Sequence, residues 1–248
     1  MSKNGILILL LKLAGKGDME LDSAIPVGYI ASTCWNYGTA LVRGTLRGGG
    51  FESRNGRCFI DRDATIRCKN IFRLSSNVCL RDGVYIDALS RDGVTLGDRA
   101  LLVHNNRRIE CTGSFSAISK GMSIGHDSTF GAEWFFGAAG GIETRNDVIA
   151  GQLVRFHSEN HNFAKKDVLT REQGVTHRGI KIGDKVWIGA GAVFLDGANV
   201  GGVCRRCDRR CHGGRLTTQL GHCRNTREGH QAALICSVAA SATERLAV

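Results

Sequence analysis

Aliphatic or aromatic residues recur at every sixth position from Ile182 to Val200: Ile182-Gly-Asp-Lys-Val-Trp, Ile188-Gly-Ala-Gly-Ala-Val, Phe194-Leu-Asp-Gly-Ala-Asn, Val200-Gly. A helix needs apolar residues three and four apart, and an ordinary strand needs them two apart. Spacing six fits neither. It fits a chain that turns a corner every six residues, so that three short strands close one coil and each coil stacks on the last. The aliphatic residue then points into a narrow three-sided core. The small or β-branched fifth residue (Val186, Ala192, Ala198) is expected at the corner. One coil alone cannot satisfy its backbone, so such repeats are stable only when stacked.

Weaker copies lie upstream: Ile60 to Ile66, Leu80 to Ile86, Leu96 to Leu102, Ile124 to Phe130 and Ile142 to Val148. Residues 1–50 lack the hexad. The apolar stretch Val27–Val42 reads as one or two helices, and the run Ile6–Leu11 is too short for a membrane span, which needs roughly 20 residues. That run reads as a short helix packing on the body or lying on a membrane surface. The chain therefore divides into a helical, apolar segment (1–50), a repeat domain (51–203) containing a polar loop over 157–179, and an aberrant tail (204–248).

The net charge of +10 invites a nucleic-acid reading. Half of it lies in residues 201–248, where eight Arg oppose three acids. The rest of the chain is mixed in sign with no basic run, so no nucleic-acid partner is expected. Five cysteines (Cys34, Cys58, Cys68, Cys79, Cys111) are scattered without pairs, as reduced, buried thiols of a cytoplasmic protein would be.

Two segments carry more than the hexad: Ser158-Glu-Asn-His-Asn-Phe163 and Gly179-Ile-Lys-Ile-Gly-Asp-Lys-Val-Trp-Ile-Gly-Ala-Gly-Ala-Val193. With them, residues 40–203 resemble the hexapeptide-repeat acyltransferases. The branch most resembled is the maltose/galactoside O-acetyltransferase type, with relatives in exopolysaccharide, capsule and lipopolysaccharide synthesis. The resemblance implies an all-β fold, a left-handed parallel β-helix of hexapeptide repeats behind a short helical N-terminal segment. It implies a homotrimer with active sites between subunits, acetyl-CoA as co-substrate and no metal. The acceptor it implies is a sugar, a lipid-linked sugar or a polysaccharide. Cytoplasmic work, with peripheral contact at the inner face of the membrane, fits the apolar N-terminal segment.

A sugar hydroxyl is a poor nucleophile at neutral pH, and a histidine titrates in the right range to take its proton. The resemblance assigns that role to His161, with His157 and His177 as fallbacks. It places Trp187 along the CoA or acceptor groove, and Gly189, Ala190 and Gly191 would let CoA lie close to the coil wall. Asn105, Glu143 and Asn146 are polar residues within reach of a sugar. Other readings stay open: a serine or amino-sugar N-acetyltransferase, or a non-catalytic or γ-carbonic-anhydrase-like β-helix in which His157, His161 and His177 share a metal.

After Val203 the hexads stop. Cys204-x-x-Cys207 with Cys211, His212, His222 and Cys223 superficially resembles a zinc site. A frameshift near residues 201–203, as a sequencing error or a real lesion, explains more. Back-translated and read one base later, residues 215–232 can encode Asp-Leu-Pro-Pro-Asn-Ser-Val-Ile-Ala-Gly-Thr-Pro-Ala-Lys-Val-Ile-Lys, the ending that the resemblance implies. The shift also accounts for the single proline of the chain and for the cluster of Arg and Cys.

Overall fold

In a computed structural model of the protein, the hexads form three parallel ladders. The structure describes Asp22, residues 24–102, 107–111 and 118–201, and the backbone of 210–211 and 215–216. Face A runs through eight strands, from Ser53–Arg54 to Arg215–Leu216. Face B has six, from Cys58–Ile60 to Trp187–Ile188, and face C seven, from Thr65–Arg67 to Arg210–Cys211. The chain visits A, B and C in turn, and neighbours within each face pair in parallel. This is a left-handed parallel β-helix. Strands of two to four residues suffice because each backbone bond reaches the next coil rather than a distant partner.

Each side of a coil sends two residues inward. Val186 and Ile188, Ala192 and Phe194, and Ala198 and Val200 are all buried. The small fifth residue of the hexad therefore faces the core and not the corner. The corner is turned one place earlier, by a residue with left-handed backbone. On the A-to-B corner Asn77, Arg99, Asp127, Asp147 and Lys185 stand above one another with φ of 59, 56, 55, 57 and 57°. Glycine at the second place has a different cause. A Cβ on Gly125 would lie 2.5 Å from the carbonyl carbon of Arg145 in the next coil. Stacked coils leave that position no room for a side chain.

Most coils are longer than three hexads: Ile66 pairs with Ile86 and Phe136 with Phe156, an advance of 20 residues. The top full coil, Ile182 to Val200, advances by 18. The two extra residues fall on the C-to-A corner and slip the frame. In register with Ile124 and Ile182 stands Thr144, whereas Ile142 aligns with Met122 and Ile180. On face C the inward position carries an aromatic column. Phe136 stacks on Phe156 at 4.6 Å between centroids and Phe156 on Phe194 at 4.8 Å, within 9° of parallel. These separations match the strand spacing, so an identical residue at one register position stacks on itself.

Among the described residues one α-helix, α1 (Val27–Leu46), covers the bottom coil. Gly44 lies against Cys58, where a Cβ would meet the Cys58 carbonyl oxygen. Tyr37 packs edge-on against Phe59 and Arg43 Nε donates to the Ile60 carbonyl. The helix shields a sheet end that would otherwise stay open. Only Ala40 and Gly44 are buried, and Val27, Tyr29, Trp35, Val42 and Leu46 are exposed. Among the described residues no helix is long and apolar enough to cross a membrane. None of the five scattered cysteines forms a disulfide among the described residues; Cys58 and Cys111 are buried and the other three half-buried. Burial pushes the Cys111 thiol up to about 12, which makes it unreactive. Of the tail, Arg210–Cys211 and Arg215–Leu216 extend faces C and A; the other tail residues and Asn105 lie outside the described residues.

Candidate functional site

Between faces C and A the chain leaves the coil in a polar excursion. The strand Arg155–His157 completes its coil, and the next strand of face A begins only at Ile180. Between them the chain projects as an antiparallel hairpin, Asn160–His161 against Val175–Thr176. His157 therefore belongs to the wall, and the excursion starts after Ser158.

The Ser158-Glu-Asn-His-Asn-Phe motif builds the departure residue by residue. Ser158 is fully buried; its Oγ donates to the Gly137 carbonyl at 2.8 Å and accepts the Gly140 N–H at 2.9 Å. This pins the exit point to the coil below. Glu159 meets His177 on the returning leg, Oε2 to Nε2, at 2.7 Å. Asn162 donates its side-chain amide to the Gln173 carbonyl and its backbone N–H to the Gly174 carbonyl. Gln173 then ties the tip: Nε2 donates to the carbonyls of Lys165 and Val168, and Oε1 accepts the Lys165 N–H. The return is fixed where the Gly179 N–H donates to Asp196 Oδ1 at 2.8 Å.

Under this arm lies a cavity of about 550 Å³, lined by His161, Asn162, Gln173, Thr176, Arg178 and Asp196 among others. It is the size of a small-ligand site, and most of its lining residues are polar or charged, with Phe163, Ala164 and Val168 adding apolar surface. His161 is exposed within it. Asp196 is buried, and its second carboxylate oxygen has no hydrogen-bond partner. Sequence reasoning missed both Asp196 and the bracing by Gln173. Asp196 occupies a third hexad position like any other, and only the stacking brings it beneath Gly179.

The two fallback histidines differ. The His157 ring lies against Phe135 at 5.3 Å, and burial, followed by the nearby Arg155 guanidinium, pulls its pKa below the ordinary value. His177 is held by Glu159 and does not line the cavity. Trp187 points outward from face B, half exposed, directly above the exposed Ile149. Gly189, Ala190 and Gly191 form the B-to-C corner beside it. Gly191 takes the left-handed turn (φ 73°) with open space around it. Glu143 is exposed on face A with Arg145 at 3.8 Å, lining a separate cleft of about 260 Å³ with Lys120, Arg178 and Lys181. Arg178 lines both cavities. Asn146 belongs to the A-to-B corner, where its Oδ1 accepts the His126 N–H and its own N–H donates to Asp184 Oδ1. The same corner gathers ligand atoms of His126, Asp127 and Asp147 within 4.8 Å, but the Asp127 carboxylate is already engaged by Arg99 and His126.

No protein-family model matches the sequence, and no curated protein matches it. Among solved structures the chain is similar to AntD, an N-acyltransferase from Bacillus cereus. One AntD mutant, in complex with dTDP and coenzyme A, is 16% identical over 79% of this chain and 96% of that chain, with a TM-score of 0.40. AntD with dTDP and 3-hydroxybutyryl-CoA is 16% identical over 68% of this chain and 79% of that chain, at 0.31. Another mutant, with dTDP-4-amino-4,6-dideoxyglucose and coenzyme A, is 16% identical over 68% and 80%, at 0.36. Scores of this size carry no inference about chemistry, and the fold rests on the three parallel ladders.

Proposed function

We propose that the chain is an acyltransferase that moves an acetyl group from acetyl-CoA to a sugar hydroxyl, with His161 as general base. The observation that carries this reading is the braced hairpin: an imidazole on an arm fixed by its own side chains, over a polar cavity beside the coil wall. In the reaction His161 takes the proton of the acceptor hydroxyl as its oxygen attacks the thioester carbonyl. The C–S bond then breaks, and the imidazolium returns the proton to the departing thiolate. A donor to the tetrahedral oxyanion is required, and a backbone N–H of a coil suits that role.

Features of the wall fit the acyl donor. The turn at Gly191 leaves space for a chain to lie close, and Trp187 offers a half-exposed ring beside it. A homotrimer would place a neighbour's wall against the arm. The acceptor classes that fit are a free sugar, a lipid-linked sugar or a polysaccharide, as in exopolysaccharide or lipopolysaccharide synthesis. The exposed apolar residues of α1 suit a contact with the membrane surface.

Thiol release from acetyl-CoA, measured over a panel of hydroxyl and amino-sugar acceptors, tests the reading. Turnover with hydroxyl acceptors, lowered about 10²- to 10⁴-fold in His161→Ala, is the expected result. Turnover with amino sugars alone would replace it with N-acylation, and an undiminished His161→Ala variant would remove the base.

A further inference from the structure

Two of the three histidines near the arm carry an ambiguity that the geometry resolves. A base held by a carboxylate is a common catalytic arrangement, and here the imidazole so held is His177, not His161. Yet His161 lines the cavity and His177 does not.

The His177–Glu159 pair lies across the neck of the hairpin. Glu159 is on the outgoing leg, one residue after the buried pin Ser158 and two before His161. His177 is on the returning leg, two residues before Gly179, which is anchored on Asp196. Both legs press on Gly140: a Cβ there would lie 2.2 Å from the Ser158 carbonyl oxygen and 3.0 Å from the His177 Cα. Among the described residues the pair is the one contact between a histidine and a carboxylate that bridges the two legs. Thr176 Oγ1 adds only a long contact, 3.5 Å, to the Asn160 carbonyl.

We infer that His177 is a positioning residue and not a proton carrier in the reaction: through Glu159 it closes the neck and fixes where His161 enters the cavity. This rests on the reading of His161 as base. The requirement at 177 is an N–H donor at the right height, which a glutamine also supplies. Displacing a reacting group by 1 Å can lower turnover about 100-fold, so a loosened neck is costly without any loss of chemistry.

Four variants test this in the full chain: His177→Ala, His177→Gln, Glu159→Ala and His161→Gln. With acetyl-CoA and the best acceptor of the panel, His177→Ala and Glu159→Ala should lower kcat about 10- to 100-fold, with the KM for acetyl-CoA unchanged. His177→Gln should recover to within about fivefold of the parent, and His161→Gln should stay inactive. A His177→Gln variant as inactive as His161→Gln would make His177 the base and overturn the inference. So would His177→Ala or Glu159→Ala at parental turnover. Hydrogen exchange gives a readout independent of activity. The Asn162 and Lys165 amides, bonded to the Gly174 carbonyl and Gln173 Oε1, should lose protection in His177→Ala and Glu159→Ala and regain it in His177→Gln. Unchanged protection would sink the pair's role. A parent that transfers no acyl group would sink the proposed function, while exchange still judges the pair.

Discussion

Along the wall from Ile124 to Val200 the inward side chains are buried, and backbone amides find their carbonyls one coil away. Along the hairpin from residue 159 to 179 no residue is buried, and three of its bracing bonds come from one glutamine. The wall is held by repetition: any coil resembles the next, so its stability is a sum of similar interfaces. The hairpin is held by particular pairs, none of which recurs. A wall substitution should therefore move stability first, and a hairpin substitution should move turnover while leaving the body folded.

The largest expected separation comes from the two extremes. His161→Ala, with its loss of about 10²- to 10⁴-fold in turnover, should leave the midpoint of denaturant unfolding unchanged. Phe156→Ala removes the middle ring of the aromatic column. It should cost about 3–5 kcal/mol in the same unfolding measurement. Stability losses of similar size from both would mean that the arm is part of the core, and the contrast would fail.

Gly125→Ala sharpens the wall side. Its Cβ would have to displace the Arg145 backbone, so a loss of about 1–3 kcal/mol is expected by denaturant titration. An alanine tolerated without loss would show that the coils can spread. Gln173→Ala is the matching test on the arm. Turnover should fall about tenfold, with a midpoint of thermal unfolding within about 2 °C of the parent. A fall of many degrees would tie the arm to the wall.

The smallest effect is electrostatic and belongs to a corner. The Arg99 guanidinium, hydrogen-bonded to both oxygens of Asp127, is the main cause that holds its pKa down at about 2; burial opposes it, and His126 adds a lesser lowering. The folded-state value is below the unfolded one of about 3.9. The stabilisation is thus fully present above pH 4 and is lost as the pH falls towards 2. Because the pair is partly exposed, its worth is at most about 1 kcal/mol. Arg99→Gln should flatten that part of the acid limb in pH-dependent unfolding; an unaltered limb would assign it to other carboxylates.

The hexad was enough to read the three-sided coil, because an inward residue every six places leaves one way to bury the set. It also located the polar break around His161. It misjudged two features. Ala192 and Ala198 were expected at corners and face the core, because smallness alone does not distinguish a tight turn from a thin interior. Ile142 was taken as the hexad's first place, where Thr144 stands in register. The two extra residues on the C-to-A corner are invisible to a strict count of six.

What the sequence determined by itself was the period, and with it the three-sided coil and the polar break in it. Periodicity is a local property, so it survives in one dimension. What only the tertiary structure decided was which side chains outside the period meet. Glu159 reaches His177 across 18 residues, Gly179 reaches Asp196 across 17, and Gly140 wedges between Ser158 and His177. Those meetings depend on which coil lies beneath the arm, and coil order is set by stacking rather than by any neighbouring residue in the chain.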